Sequence, residues 1–279
     1  MKKKAYAKIN LVLDVAGRRS DGYHNVDMIM QTIGLCDILY VEKAFGSIEI
    51  SGTGTIPYDK TNLAYRAAKL FFDVTGKKGG AKIYIEKNIP VCAGMAGGSS
   101  DAAAVLAALN SIYGKPLGTK RLMRISSVLG ADVPYCIKGG TARAQGIGEI
   151  ITPIQSLKKI NVVVVKPPVN ISTPWAYSSL DTENLCHPDG AKAQTAIEKG
   201  DNKELYALMG NSFENSVFKA YPEIKDIKER LKEMGADASL MSGSGSAVFG
   251  LFEDENSAKN AYEYFKPKYK ETFLTHTTE

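Results

Sequence analysis

The sequence predicts a mixed fold of strands and helices, in one large domain or two closely joined ones. Three observations carry this expectation. Residues 6–15 alternate side to side at the two-residue period of a strand, and several later stretches do the same. Residues 63–74 place apolar side chains at the spacing of a helix with one buried face. The third is length, because 279 residues suffice for one large core or two smaller ones.

Composition narrows the class. Apolar residues make up 44% and charged residues 23%, as in ordinary soluble globular proteins. A net charge of +5 suits a small anionic substrate and is too weak to argue for nucleic acid. No apolar run approaches the roughly 20 residues of a membrane span. The basic start at Lys2, Lys3 and Lys4 has no apolar core behind it, since Lys8, Asn10 and Asp14 interrupt it, so no signal peptide is expected. Cys36, Cys92, Cys136 and Cys186 lie far apart without zinc-ligand spacing. They read as reduced thiols of a cytoplasmic protein.

Along the first strand, Ile9, Leu11 and Leu13 point one way, and Lys8, Asn10 and Val12 the other. Lys8 and Asn10 therefore share a face, and spacing alone leaves a solvated edge open. Residues 17–24 form a polar loop that ends in Tyr23 and His24. Such loops often bind ligands, although a lone loop histidine is more often solvated. Residues 27–41 and 46–51 read as further strands. Asp59, Thr61 and Asn62 offer N-caps for a helix running to about Val74 and closed by Gly76.

A strand at 81–87 leads into Pro90, Val91, Cys92, Ala93, Gly94, Met95, Ala96, Gly97, Gly98, Ser99 and Ser100. The stretch begins as a tight turn and ends as a helix. Ser99, Ser100 and Asp101 are candidate caps, and the helix runs on to Tyr113 with Gly114 as its stop. A glycine loop feeding a helix start presents free N–H groups and the positive end of the helix dipole, which is an anion site. It is neither a Walker A sequence nor Gly-x-Gly-x-x-Gly. A plain turn is the alternative, but three glycines and two serines ahead of an alanine helix favour phosphate.

The next helix, from Thr119, would turn Leu122, Ile125, Val128 and Leu129 inward and stop at Gly130. Asp132 follows in a turn stiffened by Pro134, which should push Val133 out of helical geometry. A carboxylate there serves equally as a catalytic group or as a cap. Residues 139–146 read as a strand with a bend, and 161–166 as a buried strand ended by Pro167 and Pro168. A second half begins near there. It holds a short helix at 173–180 with Trp175 and Tyr177, then helices at 191–200, 201–218 and 222–234. A strand at 236–240, a glycine–serine turn from Met241 to Ala247, a strand at 248–252, a helix at 255–265 and a strand at 272–276 complete it. The turn is either a plain strand connection or a second approach to a bound phosphate or substrate.

Three blocks now resemble one family: Ala7–Leu11 with the loop to His24; Pro90 to Ala104 with Gly130–Pro134; and Met241–Ser246. In this order they resemble the GHMP kinase superfamily of galactokinase, homoserine kinase and mevalonate kinase. Lys8, Asn10 and the Asp21-Gly22-Tyr23-His24 run resemble its branch that phosphorylates a diphosphocytidyl methylerythritol in the non-mevalonate isoprenoid pathway. The loop agrees, because most of the superfamily carries Leu-x-Ser-Ser where this chain reads Met95 to Ser100.

The resemblance implies two α+β domains, one over residues 1–160 of the ribosomal protein S5 domain 2 type and a ferredoxin-like one over 161–279, with ATP and substrate between them. It implies ATP-dependent phosphorylation of a 2-hydroxyl. Pro90 to Ser100 would hold the ATP phosphates, and Ser100, with Ser99 as the alternative, would bring a hydroxyl near Mg²⁺. Asp132 would accept the proton of the attacking hydroxyl. Lys8 would sit by Asp132 and the γ-phosphate and offset developing charge. Asn10 would bond the substrate hydroxyls. Tyr23 would stack on the cytosine, His24 would bond its edge, and Tyr177 would close the other face of the clamp. Asn62 and Lys87 would line the adenine pocket. The implied partner is a small molecule, with neither nucleic acid nor membrane, and the protein would act in the cytoplasm as a monomer or weak homodimer. An RNA-binding rival lacks a basic stripe with interleaved aromatics. Other kinases of the superfamily have no base for Tyr23 and His24 to read. A catalytically silent relative would not need Lys8, Asp132 and an intact loop.

Overall fold

Two long strands form first in the chain, β1 (Lys2–Arg18) and β2 (His24–Ala44). Apolar and β-branched residues recur along both, so each stays extended well past the predicted limits. The structure is a computed structural model that describes residues 1–180 and 185–279. It divides into two compact units, each built from several stretches of chain.

The first unit takes residues 1–7, 35–89 and 96–139. Beyond its parts of β1 and β2 it holds β3 (Ile48–Gly52), α1 (Leu63–Thr75), β4 (Gly80–Glu86), α2 (Gly97–Ile112), α3 (Thr119–Ser126) and α4 (Val133–Lys138). β4 lies between β3, parallel to it, and β2, antiparallel to it, with Ile83 opposite Ile50 and Val41. α1 and α2 pack on each other and on β4. Phe71, Ala67 and Ala68 from α1 meet Val105, Leu106 and Leu109 from α2 over Leu39, Val41, Ile83 and Ile85. The alanines keep the helices close, and the apolar area removed from water supplies most of the stability. Asn62 is the N-cap of α1, and its side chain accepts from the Ala64 N–H, as the sequence predicted; Gly76 closes the helix in the left-handed region.

The second unit takes residues 8–34, 90–95 and 140–279. It adds β5 (Thr141–Gln145), β6 (Ile150–Pro153), β7 (Asn161–Lys166), α5 (Thr173–Ser178), α6 (Gly190–Lys199) and α7 (Asn202–Leu208). Then come β8 (Gly210–Asn211), α8 (Glu214–Ala220), α9 (Pro222–Glu233), β9 (Ala238–Met241), β10 (Val248–Phe252), α10 (Glu255–Phe265) and β11 (Glu271–His276). β5 pairs with the first part of β2 and with β6. A separate antiparallel sheet runs β11-β7-β10-β9, with α9 and α10 packed on it. That order is the ferredoxin-like arrangement. Val162 to Val165 in the interior strand β7 are all fully buried, which explains their unbroken apolar run. Among the described residues no helix is long and apolar enough to cross a membrane.

Several expectations are corrected. Ser99, Ser100 and Asp101 do not cap α2: the helix already begins at Gly97, and Ala96 holds the cap position with φ of 57° and no side-chain bond. Val133 is helical, because Pro134 sits in the first turn of α4, where its missing N–H costs nothing. Val128 points to solvent at 67% exposure, since α3 ends at Ser126 and the chain beyond it no longer follows the helical face. The predicted helix at 201–218 is broken by β8, whose Asn211 pairs with Leu13 of β1. Gly210 makes room for Pro188: a Cβ there would lie 2.9 Å from Pro188 Cβ. Finally, Lys8 and Asn10 are not on a solvated edge, being 4% and 0% exposed.

Candidate functional site

In the first unit the site is the start of α2. The first intrahelical bond runs from the Ser100 N–H to the Ala96 carbonyl at 2.8 Å. The N–H groups of Gly97, Gly98 and Ser99 therefore precede the helical ladder, at the positive end of the dipole. Gly98 is exposed, and a Cβ on it would meet only Leu63 Cδ1 at 3.5 Å. Gly97 is tighter, with Lys87 Nζ at 3.0 Å and Ile89 Cγ2 at 3.1 Å from such a Cβ. These amides fit an anion such as an ATP phosphate. Of the three described non-glycine residues with positive φ, two, Cys92 and Ala96, lie in this loop. Strain of that kind gathers where a backbone must meet something specific.

Below this helix start lies a buried ionic cluster that the sequence reading missed. Lys87 at the end of β4 pairs with Asp37 of β2, and with Asp101 of α2 at 2.9 Å. Asp37 Oδ1 also accepts the Asn88 and Ile89 N–H groups at 2.6 and 2.8 Å. The cluster thus ties the chain entering the loop to the helix leaving it. Burial alone would lower the Lys87 pKa, but the Asp101 and Asp37 charges hold it above its ordinary value. Burial pushes Asp101 up to about 7, opposed by Lys87 and aided by Asp37. Asp101 Oδ1 is buried with no hydrogen-bond partner. The signal was in the sequence: Asp37 is the one charge between Asp27 and Glu42 of β2.

Three residues expected in the site have partners within the fold of this unit. Lys87 was expected at the adenine, yet its ammonium is engaged by two carboxylates. Asn62 was expected there too, but its amide donates to the Pro57 carbonyl at 2.7 Å and its oxygen caps α1. Ser100 was expected to bring a hydroxyl near Mg²⁺; it is 3% exposed and donates to the Tyr6 carbonyl at 2.6 Å. Among the described residues no group of three or more His, Cys, Asp or Glu side chains has a metal-holding arrangement. Mg²⁺ that travels with nucleotide phosphates needs few protein ligands. Asp132 occupies the cap position of α4 without a side-chain cap bond, while its carbonyl accepts from the Cys136 N–H at 3.0 Å. It is half-buried, which leaves its carboxylate available for chemistry.

In the second unit Lys8 and Asn10 form one buried pair. Lys8 Nζ donates to Asn10 Oδ1 at 2.6 Å and to the Gly94 carbonyl at 2.7 Å. The Lys8 N–H also bonds the Met95 carbonyl at 3.2 Å. Gly94 is required as glycine: its φ is +69°, and a Cβ would lie 1.9 Å from the Ser242 carbonyl oxygen. Ser242 Oγ in turn donates to the Gly94 carbonyl at 3.0 Å. The glycine–serine turn therefore touches the glycine loop, a contact that neither sequence reading specified. Val91 and Cys92 are exposed there, while Pro90, Ala93 and Met95 are buried.

Two members of the expected base clamp meet. His24 stacks directly on Tyr177, with ring centroids 4.9 Å apart and planes 23° apart. Tyr177 also meets Phe213 at right angles, with centroids 4.9 Å apart. Tyr23 is 61% exposed and free to cover a ligand from the solvent side. Burial, and secondarily Arg18, lowers the His24 pKa. A neutral imidazole offers one donor and one acceptor, the complement of a nucleobase edge.

Comparison with known proteins gives consistent results. The family described as GHMP kinases N terminal domain matches residues 62–140, and the one described as GHMP kinases C terminal matches 193–271. The 4-diphosphocytidyl-2-C-methyl-D-erythritol kinase of Clostridium novyi is 46% identical over 276 residues, covering 98% of this chain and 99% of the relative. The same enzyme of Clostridium kluyveri is 48% identical with the same coverage. A crystal structure of 4-(cytidine 5'-diphospho)-2C-methyl-D-erythritol kinase superposes with a TM-score of 0.86 at 35% identity, over the full length of both chains. A crystal structure of L. major mevalonate kinase in complex with R-mevalonate shares the fold at a TM-score of 0.77 and 19% identity, covering 100% of this chain and 96% of that one.

Proposed function

The chain belongs to the 4-diphosphocytidyl-2-C-methyl-D-erythritol kinases of the GHMP kinase superfamily, and on that premise we propose that it transfers the γ-phosphoryl group of ATP to the 2-hydroxyl of that diphosphocytidyl alcohol, a step of non-mevalonate isoprenoid precursor synthesis. The observation that carries this reading is identity of 46–48% to enzymes of that name across nearly the whole chain. We propose a boundary between the two family domains near residue 160, for which the matched segments 62–140 and 193–271 leave room.

Phosphoryl transfer asks a protein for positioning and charge more than for covalent chemistry. The N–H groups of Gly97, Gly98 and Ser99 bind ATP phosphate oxygens, and the helix dipole adds to the attraction. Mg²⁺ carried by the nucleotide would supply further charge neutralisation, and Ser99 would offer it a hydroxyl, since Ser100 donates to the Tyr6 carbonyl. Asp132 takes the proton of the attacking hydroxyl. Lys8 is already desolvated on the Gly94 carbonyl, so its charge acts at full strength on the developing negative charge. Asn10 is fixed by Lys8 and orients the substrate hydroxyls. Tyr23 covers the cytosine, and His24, braced by Tyr177, bonds its edge. The reaction takes place in the cytoplasm on a free small molecule.

Kinetics with three acceptors test this. The cytidine diphosphate derivative should react well, its uridine analogue poorly, and the bare polyol phosphate very poorly, because remote binding energy no longer orients the hydroxyl. Equal reaction of the bare polyol phosphate would remove the base-reading role from Tyr23 and His24.

A further inference from the structure

Gly94 is gripped from two sides inside the second unit. Lys8 Nζ and Ser242 Oγ both donate to its carbonyl, at 2.7 and 3.0 Å. The Lys8 ammonium takes its direction from that oxygen, and so does its pairing with Asn10. Whatever fixes Ser242 therefore helps to aim Lys8.

Two buried polar side chains outside the described site fix it. Asn211 is 2% exposed. Its amide donates to the carbonyls of Met241 and Gly243 at 2.8 Å each, on either side of Ser242. Its oxygen accepts the Phe213 N–H at 3.0 Å, which fixes the flip of the amide. Glu214, 9% exposed, accepts the Met241 N–H at 2.9 Å and pairs with Lys228 at 2.6 Å. A buried polar group left without its partner is strongly unfavourable, so these bonds resist any other arrangement of the turn. Asn211 also sits on β8, whose pairing with Leu13 ties it to the strand that carries Lys8.

We propose that Asn211 and Glu214 are positioning residues for phosphoryl transfer, acting through Ser242 and the Gly94 carbonyl on the ammonium of Lys8. Neither touches the reacting atoms. Their bonds set one backbone turn, the turn sets one hydroxyl, and the hydroxyl shares with Lys8 a single acceptor. The effect on rate rests on the catalytic role proposed above for Lys8; the physical linkage does not.

A double-mutant cycle on the full chain tests the linkage with two readouts. The first is the rate at which an amine-acylating reagent labels Lys8, followed by mass spectrometry. The second is kcat and KM with the diphosphocytidyl alcohol and ATP. Lys8 is nearly inaccessible, so wild-type labelling should be slow. Asn211→Ala and Ser242→Ala should each speed labelling by about tenfold, and the double variant should do no more than either. Each should lower kcat between about tenfold and a hundredfold with little change in KM for ATP. Glu214→Gln keeps the acceptor for Met241 and should recover most of the kcat that Glu214→Ala loses. Labelling unchanged by Ser242→Ala, or effects of Asn211→Ala and Ser242→Ala that multiply, would overturn the proposal. If Asn211→Ala does not fold, Ser242→Ala with the Glu214 pair gives the same decision. Should the labelling pattern hold while the wild-type protein phosphorylates nothing, the linkage stands and the enzymatic reading falls.

Discussion

Replacing Asp101 with asparagine should flatten the dependence of stability on pH. Asp101 and Asp37 share one ammonium in a buried place, so the cluster carries an excess negative charge when both carboxyls are ionised. The folded chain relieves this by holding a proton on Asp101. An acid whose folded pKa lies above its unfolded value lends stability at low pH, and that stability is lost as pH rises toward the folded value. For Asp101 the window runs from about 3.8 to about 7. At about 1.4 kcal/mol per pH unit the total is on the order of 4 kcal/mol, most of it lost above pH 5. An asparagine is uncharged throughout, and its oxygen can still accept from Lys87. The variant should match the wild type near pH 4 to 5 and exceed it by a few kcal/mol near pH 8. Asp37→Asn should behave in the opposite way. It sets an NH₂ group against the ammonium and should lose about 3 kcal/mol or more at every pH near neutrality. Urea denaturation of the three proteins at pH 5, 6, 7 and 8 measures this. Parallel pH profiles for the wild type and Asp101→Asn would show that Asp101 is ionised in the folded protein, and the reasoning would fail.

Asp132→Asn should leave folding and ATP affinity nearly unchanged while lowering kcat by at least about a hundredfold; normal turnover would remove Asp132 from the mechanism. Gly98→Val should weaken ATP binding with little loss of thermal stability, because the only neighbour of its Cβ is Leu63 at 3.5 Å. Calorimetric titration with ATP checks this, and unchanged affinity would mean that the helix start holds no phosphate. Gly97→Val is the poorer probe, since Lys87 and Ile89 already crowd that position. Tyr23→Ala should weaken binding of the cytidine compound by roughly 1–3 kcal/mol, the usual worth of a base–aromatic stack, as read from its Kd. Unchanged affinity would leave the base to His24 alone.

Elements with a clear period and a clear cap were legible in the sequence. α1, with Asn62 before it and Gly76 after it, shows both signals. So does α10, capped by Asp254; α9 shows its period and Pro222 in its first turn, and the four valines of β7 form a buried interior strand. What failed was local preference overruled by distant packing. Serines and an aspartate before an alanine helix ought to cap it, yet Ala96 holds the cap because the loop needs a left-handed turn one step earlier. Gly210 and Asn211 were absorbed into a helix because the flanking residues keep a helical period; their partner, β1, is about two hundred positions away. In the site, residue types were readable and their engagements were not. Lys87 and Asn62, expected at the adenine, have partners that only the fold supplies: two carboxylates for one, a carbonyl and a helix end for the other. Asp37 and Asn211 carry no motif, and their importance lies in bonds to backbone groups remote in sequence.

The discontinuity of the two units has a consequence for taking the protein apart. Their six stretches alternate along the chain, so the backbone passes from one unit to the other five times. No single cut releases either unit whole. A fragment ending at residue 139 would retain residues 8–34 but lack β5 and β8, the strands that pair with them. It would leave Val12, Leu13, Met28, Ile29 and Met30 on unpaired edges, and it should aggregate rather than fold. The kinase is therefore indivisible by truncation, and deletion mapping would report every shortened form as inactive whichever residues perform the chemistry.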